Sequence, residues 1–96
     1  MPNKKIPLFE PFINLKEKQY VLDCLKTNWI SSKGKYIEKF QNKFSKYVGA
    51  TYSISVNNGT AALHLALLAL DVKKGDEVIV PSFTYVAAVN AIKYVG

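Results

Sequence analysis

A turn at Gly59, set between two segments of different periodicity, constrains the fold of this chain more than any other feature. The segment 51–57 alternates apolar and polar residues, which is the period of a half-buried strand. Residues 61–70 are Ala, Leu and one His, without β-branched side chains, and this composition favours a helix. A strand that turns directly into a helix leaves unpaired N–H groups at the helix start, and such groups can bind a phosphate. Many junctions of this kind only connect elements, so both interpretations stand at this point.

The rest of the pattern predicts three further helices and a second strand. Asn14 and Glu17 have the spacing of a capping box, which predicts a helix that begins there. The elements expected along the chain are an extended arm over 1–13, a helix over 14–26, a loop over 27–34, a second helix that Gly49 stops, the strand 51–57, a helix over 60–70, a strand over 77–81 and a helix over 85–95.

The order α-α-β-α-β-α indicates an α/β fold with a mostly parallel sheet. Two strands are too few for such a sheet, and the chain stops where a third strand is expected. We therefore interpret residues 14–96 as the N-terminal portion of a larger, incomplete domain.

The charge of the chain comes from lysine alone. The net charge is +6, with 13 basic residues, none of them arginine, and residues 1–50 carry ten of them against four acids. Proteins that read base edges depend on the planar fork of arginine, so we do not expect a nucleic-acid partner. The apolar run 61–70 is too short to span a bilayer, and the N-terminus lacks a signal-peptide core, so we expect a cytoplasmic protein without a membrane partner.

Few residues are suited to metal binding or nucleophilic catalysis. Cys24 is the single cysteine and lies among apolar residues, which indicates a buried, inert thiol, and no metal site is expected. The lone His64 lies inside a predicted helix, where packing or a surface role is the favoured interpretation. Dinucleotide and Walker glycine motifs are absent. Aromatic residues after the strand 77–81, Phe83 and Tyr85, could stack on a planar cofactor or serve ordinary packing.

Five segments, in order and spacing, resemble the DegT/StrS-type sugar aminotransferases. They are Ile6-Pro7-Leu8, Trp29-Ile30-Ser31-Ser32-Lys33-Gly34, Tyr47-Val48-Gly49-Ala50, Asn57-Asn58-Gly59-Thr60-Ala61-Ala62-Leu63-His64 and Gly75 to Ala87. The resemblance covers essentially the whole chain. One departure is Gln41, where the family usually has Glu, and this difference is expected to lie at the surface.

The resemblance implies a fold of the aspartate aminotransferase type (fold type I) and the cofactor pyridoxal 5'-phosphate (PLP). The backbone N–H groups of Gly59, Thr60 and Ala61, with the Thr60 hydroxyl, would hold the cofactor phosphate, and Tyr85 would stack on the pyridine ring. The substrate-binding candidates Trp29, Ser31 and Ser32 would lie near the sugar-nucleotide side of the site.

The family also implies parts that this sequence lacks. The lysine that anchors PLP, the aspartate that pairs with the pyridine nitrogen and the small C-terminal domain all come later in such enzymes, so no catalytic residue is expected within these 96 residues. The implied parent transfers an amino group, from a donor such as glutamate, to a nucleotide-linked keto sugar and works as a homodimer. The alternatives are a non-catalytic relic that binds a partner chain or nothing, and a PLP-dependent dehydratase relative.

Overall fold

The structure is a computed structural model that describes residues 6–96, and the predicted arm is therefore described only from Ile6 onward. Residues 6–13 lie outside any helix. The described residues contain four helices: α1 (Leu15–Lys26), α2 (Lys35–Val48), α3 (Gly59–Ala69) and α4 (Ala87–Tyr94). The chain divides after Phe40 into two compact units, and each unit is described by itself below.

The start of α1 confirms the predicted capping box. The Glu17 carboxylate accepts the Asn14 N–H at 2.9 Å, and the Asn14 side-chain oxygen accepts the Lys16 N–H at 2.7 Å. These bonds satisfy donors that the first helical turn cannot pair within itself. The predicted ends of α1 and α2 are also confirmed, because α2 ends at Val48 and Gly49 takes a left-handed φ of 72°.

In the second unit, α3 packs against α4. The His64 ring meets the Tyr94 ring edge-on, with centroids 5.4 Å apart, which confirms a packing role for His64. α4 begins at Ala87, two residues later than predicted, and Val86 at its N-cap provides no side-chain hydrogen bond. Tyr85 therefore precedes the helix.

The predicted strands are not formed in the described part of the chain. Residues 6–96 contain no paired strand, and the segments 51–57 and 77–81 have no ladder hydrogen bonds to each other. The α/β class is thus not displayed by these residues, and the strand prediction needs this correction. The physical reason is that a strand requires a neighbour for its N–H and C=O groups, and alternation in sequence does not provide one.

Gln41 holds the segment 51–57 through two hydrogen bonds. Its carbonyl accepts the Ser53 hydroxyl at 2.7 Å, and its side-chain amide donates to the Ser55 hydroxyl at 3.1 Å. Gln41 is half-buried. The expectation that Gln41 is only a surface difference from the family is therefore wrong. A glutamate there could keep a contact with Ser55, because a hydroxyl can donate as well as accept.

The apolar faces of the helices are largely uncovered. Ala91, with 1% of its surface exposed, is the one buried apolar residue among those described, and no residue of α1 or α3 is buried. Cys24 is half-buried, so the prediction of a buried thiol is wrong. Most of the large apolar side chains of residues 6–96 are exposed, so this part of the chain does not build a hydrophobic core of its own.

No helix among residues 6–96 combines the length and apolar character that crossing a membrane requires.

Candidate functional site

The first turn of α3 presents two N–H groups without a partner. The Asn58 side-chain oxygen accepts the Ala61 N–H at 2.9 Å, and the Asn58 carbonyl accepts the Ala62 N–H at 3.1 Å. The N–H groups of Gly59 and Thr60 have no hydrogen-bond acceptor within residues 6–96. The positive end of the helix dipole adds to these donors, so the turn is suited to an anion.

Asn58 is a site residue that the sequence interpretation missed. Its spacing to Ala61 is that of an N-cap residue and the third residue of the helix, and Asn is among the preferred N-cap residues. This signal was present in the sequence. Because Asn58 already engages the Ala61 N–H, the three predicted phosphate donors are not equivalent: Gly59 and Thr60 are open, and Ala61 is shared with the cap.

Gly59 has no conformational reason to be glycine in this structure. Its φ is not in the left-handed region, and a Cβ added to it would meet no atom within 4 Å. Gly49, by contrast, needs its left-handed φ of 72°. The space beside Gly59 is therefore open for a group that approaches the backbone closely, such as a phosphate.

Tyr85 is the other cofactor candidate of the second unit. Its side chain is 84% exposed, and its carbonyl accepts the Ala88 N–H at 3.3 Å at the start of α4. No ring contact holds Tyr85 within the described residues, so its face is open for stacking.

The predicted substrate loop Trp29–Gly34 forms one wall of a cleft in the first unit. Trp29 and Ser31 line this cleft, whereas Ser32 does not. The other lining residues come from the end of α1, the loop and the start of α2: Cys24, Thr27, Ile30, Lys33, Gly34, Lys35, Tyr36 and Ile37. Trp29 lies against Gly34, where an added Cβ would be 3.4 Å from the Trp29 Cβ.

An acidic residue at the end of α1 organises the charges beside this cleft. Asp23 accepts hydrogen bonds from the Lys35 ammonium and from the Tyr36 hydroxyl, the latter at 2.9 Å. The Lys35 hydrogen bond, followed by that of Tyr36, lowers the pKa of Asp23. The same bond to Asp23 raises the pKa of Lys35, and the hydrogen bond to the Asp23 carboxylate raises the pKa of Tyr36. The contact stabilises the charged forms of both Asp23 and Lys35.

The described residues contain no cluster of His, Cys, Asp and Glu that could hold a metal ion. The candidate groups are therefore backbone donors, hydroxyls and aromatic rings. Such groups are suited to binding and orienting a ligand.

Comparison with known proteins supports the resemblance seen in the sequence. A sequence model of the DegT/DnrJ/EryC1/StrS aminotransferase family matches residues 11–96. The chain is 59% identical over 93 residues to a GDP-perosamine synthase of Escherichia coli O157:H7, covering 97% of this chain and 26% of the relative. It is 48% identical over 91 residues to a GDP-perosamine synthase of Vibrio cholerae, covering 95% and 25%.

A third relative adds the name of a cofactor. EpsN of Bacillus subtilis, whose name includes the words pyridoxal phosphate-dependent aminotransferase, is 40% identical over 92 residues, with 96% of this chain and 24% of the relative covered. The chain thus spans about a quarter of the length of these relatives. The match over residues 11–96 confirms the resemblance found in the sequence: the chain belongs to the DegT/DnrJ/EryC1/StrS aminotransferase family.

Proposed function

We propose that this chain supplies the phosphate-binding part of a PLP-dependent aminotransferase that acts on a nucleotide-linked sugar. The observation that carries the proposal is the 59% identity to a GDP-perosamine synthase over nearly the whole chain. The full-length protein would transfer an amino group from glutamate to a keto sugar attached to a nucleotide. Within residues 1–96, the proposal assigns binding roles and no catalytic residue.

The residues at the start of α3 fit the phosphate of PLP. Gly59 and Thr60 offer two N–H donors that have no acceptor within residues 6–96. Because Gly59 has no Cβ, a phosphate can approach its backbone closely. The Thr60 hydroxyl adds a third donor. Asn58 keeps the turn in shape by capping the Ala61 N–H. When bound, PLP supplies the electron-withdrawing ring that makes amino-group transfer possible.

The remaining candidates are assigned by the same proposal. Tyr85, which has an open ring face, would stack on the pyridine ring. Trp29 and Ser31, which share a cleft, would contact the sugar nucleotide, and Ser32 would do so only from outside that cleft. We also propose fold type I, a homodimeric assembly and a cytoplasmic location, in keeping with membership of the family.

The test is an assay of the full-length gene product in the reverse direction. The purified protein is loaded with PLP and mixed with GDP-perosamine and 2-oxoglutarate. The amino group should move from the sugar carbon to 2-oxoglutarate, giving glutamate and a GDP-linked keto sugar, both detected by mass spectrometry. A full-length protein that binds PLP without forming glutamate from this pair would contradict the assigned substrate class. A protein that binds no PLP would contradict the cofactor.

A further inference from the structure

The loop Trp29–Gly34 is attached to the last turn of α1 by a short series of hydrogen bonds. The Thr27 hydroxyl donates to the Asp23 carbonyl at 2.7 Å, and the Trp29 N–H donates to the Cys24 carbonyl at 3.1 Å. Between them, Asn28 has a left-handed φ of 59°, which reverses the chain direction. The beginning of the loop therefore follows the position of the α1 terminus.

The end of the loop is tied to the same turn of α1 through the Asp23 side chain. Lys35 and Tyr36 are the first two residues of α2, and both donate to the Asp23 carboxylate. One carboxylate thus joins the residues on either side of the loop. A charged acceptor with two donors holds a more defined geometry than a single neutral bond does.

Aromatic contacts also hold Tyr36 through its ring. The Tyr20 and Tyr36 ring centroids are 5.0 Å apart, and the Lys39 ammonium lies 5.2 Å from the Tyr20 centroid. These contacts place Tyr36 independently of its hydroxyl. Tyr20 is also a residue of α1, so this ring contact joins α1 to the start of α2, and Asp23 adds a second contact about one turn further along α1.

Asp23 does not itself line the cleft that contains Trp29 and Ser31, although both of its partners do. Lys35, Tyr36 and the loop therefore connect Asp23 to a ligand in that cleft.

We propose that Asp23 is a positioning residue for the sugar nucleotide, which it serves by holding the two ends of the loop Trp29–Gly34 in the spacing that the cleft requires. This inference rests on the proposed function, because it takes the cleft as the sugar-nucleotide side of the site. It adds a residue outside the cleft whose removal should affect one substrate and leave the other unaffected.

The test compares Asp23→Asn with Glu38→Gln in the full-length, PLP-loaded protein. Both variants remove one negative charge with little change of shape, and the exposed Glu38 side chain on α2 forms no hydrogen bond or ion pair among residues 6–96. The reverse assay gives a KM for GDP-perosamine, a KM for the oxo acid, kcat and the bound PLP. We expect Asp23→Asn to raise the KM for GDP-perosamine by about two- to fivefold, the range for loss of an exposed ion pair.

The other readouts separate positioning from general damage. In Asp23→Asn, the KM for the oxo acid, kcat and the PLP content should stay unchanged, and every parameter should stay unchanged in Glu38→Gln. Asp23→Glu should restore part of the lost affinity. An unchanged KM for GDP-perosamine, or an equal change in the KM for each substrate, would overturn the proposal.

Tyr36→Phe provides a second variant if Asp23→Asn does not fold. It removes one donor to Asp23 and keeps the ring against Tyr20, so a smaller rise in the KM for GDP-perosamine is expected, and no rise would overturn the proposal. If the proposed function itself is wrong, the result is different: the unmodified protein then forms no glutamate from GDP-perosamine and 2-oxoglutarate.

Discussion

A charged side chain at Gly59 should weaken PLP binding while leaving the protein folded. A Cβ at Gly59 meets no atom within 4 Å, so the first side-chain atom of Gly59→Asp introduces no clash within residues 6–96. An acid in the first turn of a helix is favoured by the helix dipole. The unfolding free energy of the protein without cofactor should therefore stay the same or rise by up to about 1 kcal/mol.

The same charge should weaken the binding of the cofactor, because it repels the negative phosphate of PLP. At about 4 Å, two like charges repel by about 1 kcal/mol in water and by about 4 kcal/mol at an effective dielectric constant of 20. The exposed turn lies between these limits, which corresponds to a loss of about five- to a thousandfold in PLP affinity for each phosphate charge. Gly59→Ala adds the methyl group without the charge, so its loss of affinity should be smaller.

The assay is a titration of the cofactor-free, full-length protein with PLP, followed by absorbance and by thermal unfolding. Unmodified protein should unfold at a higher temperature with PLP present, and at the same PLP concentration Gly59→Asp should show a smaller shift. Asn42→Asp, which adds the same charge on the exposed surface of α2, is the matched control and should bind PLP normally. A Gly59→Asp protein that binds PLP as tightly as the control would refute the assignment of this turn.

Three further changes test the local structure. Asn14→Ala should lower the unfolding free energy by about 1 kcal/mol in urea titrations, because it removes the cap of α1. Gly49→Ala should lower the unfolding free energy by about 1 kcal/mol in the same assay, because the φ of 72° is strained for a residue with a Cβ. The added Cβ itself would meet no atom within 4 Å, so an unchanged urea midpoint would show that this backbone strain is absent. The pKa of Asp23 is lowered chiefly by the hydrogen bond from Lys35. The carboxylate therefore contributes its full stabilisation of the fold at pH values above 3.8, the ordinary pKa of the group. The stability difference between unmodified protein and Asp23→Asn should shrink as the pH falls below that value and disappear below the folded pKa.

The helices were predictable because their signals are local. The capping box of α1 and the glycine after α2 each depend on residues within one turn of the helix end, and the structure places both as predicted. The late start of α4 at Ala87 has a local explanation as well, since no polar side chain caps it and the sequence offers no sharp signal there.

The strands could not be settled from the sequence because their pairing is non-local. The segment 51–57 has the right alternation, yet its side-chain hydrogen bonds are with Gln41 and no strand lies beside it among residues 6–96. The burial of the apolar helix faces could not be predicted for the same reason. The sequence pattern predicts which face of a helix is apolar, but whether that face is buried depends on which other element covers it.

The candidate site was predictable in part. The glycine turn pointed to open N–H groups, and the structure provides them at Gly59 and Thr60. The cap of Ala61 by Asn58 was missed, although the spacing of an N-cap Asn to the third residue of the helix was present in the sequence. The link from Asp23 to the start of α2 joins residues 12 and 13 positions apart, and the sequence has no signal for that contact.

A crystal structure of the full-length protein with PLP would test the assignment of the phosphate site most directly. We expect phosphate oxygens about 2.7–3.2 Å from the N–H nitrogens of Gly59 and Thr60, with the Tyr85 ring against the pyridine ring. A phosphate bound elsewhere, with the first turn of α3 exposed to solvent, would contradict the assignment of this turn as the cofactor site.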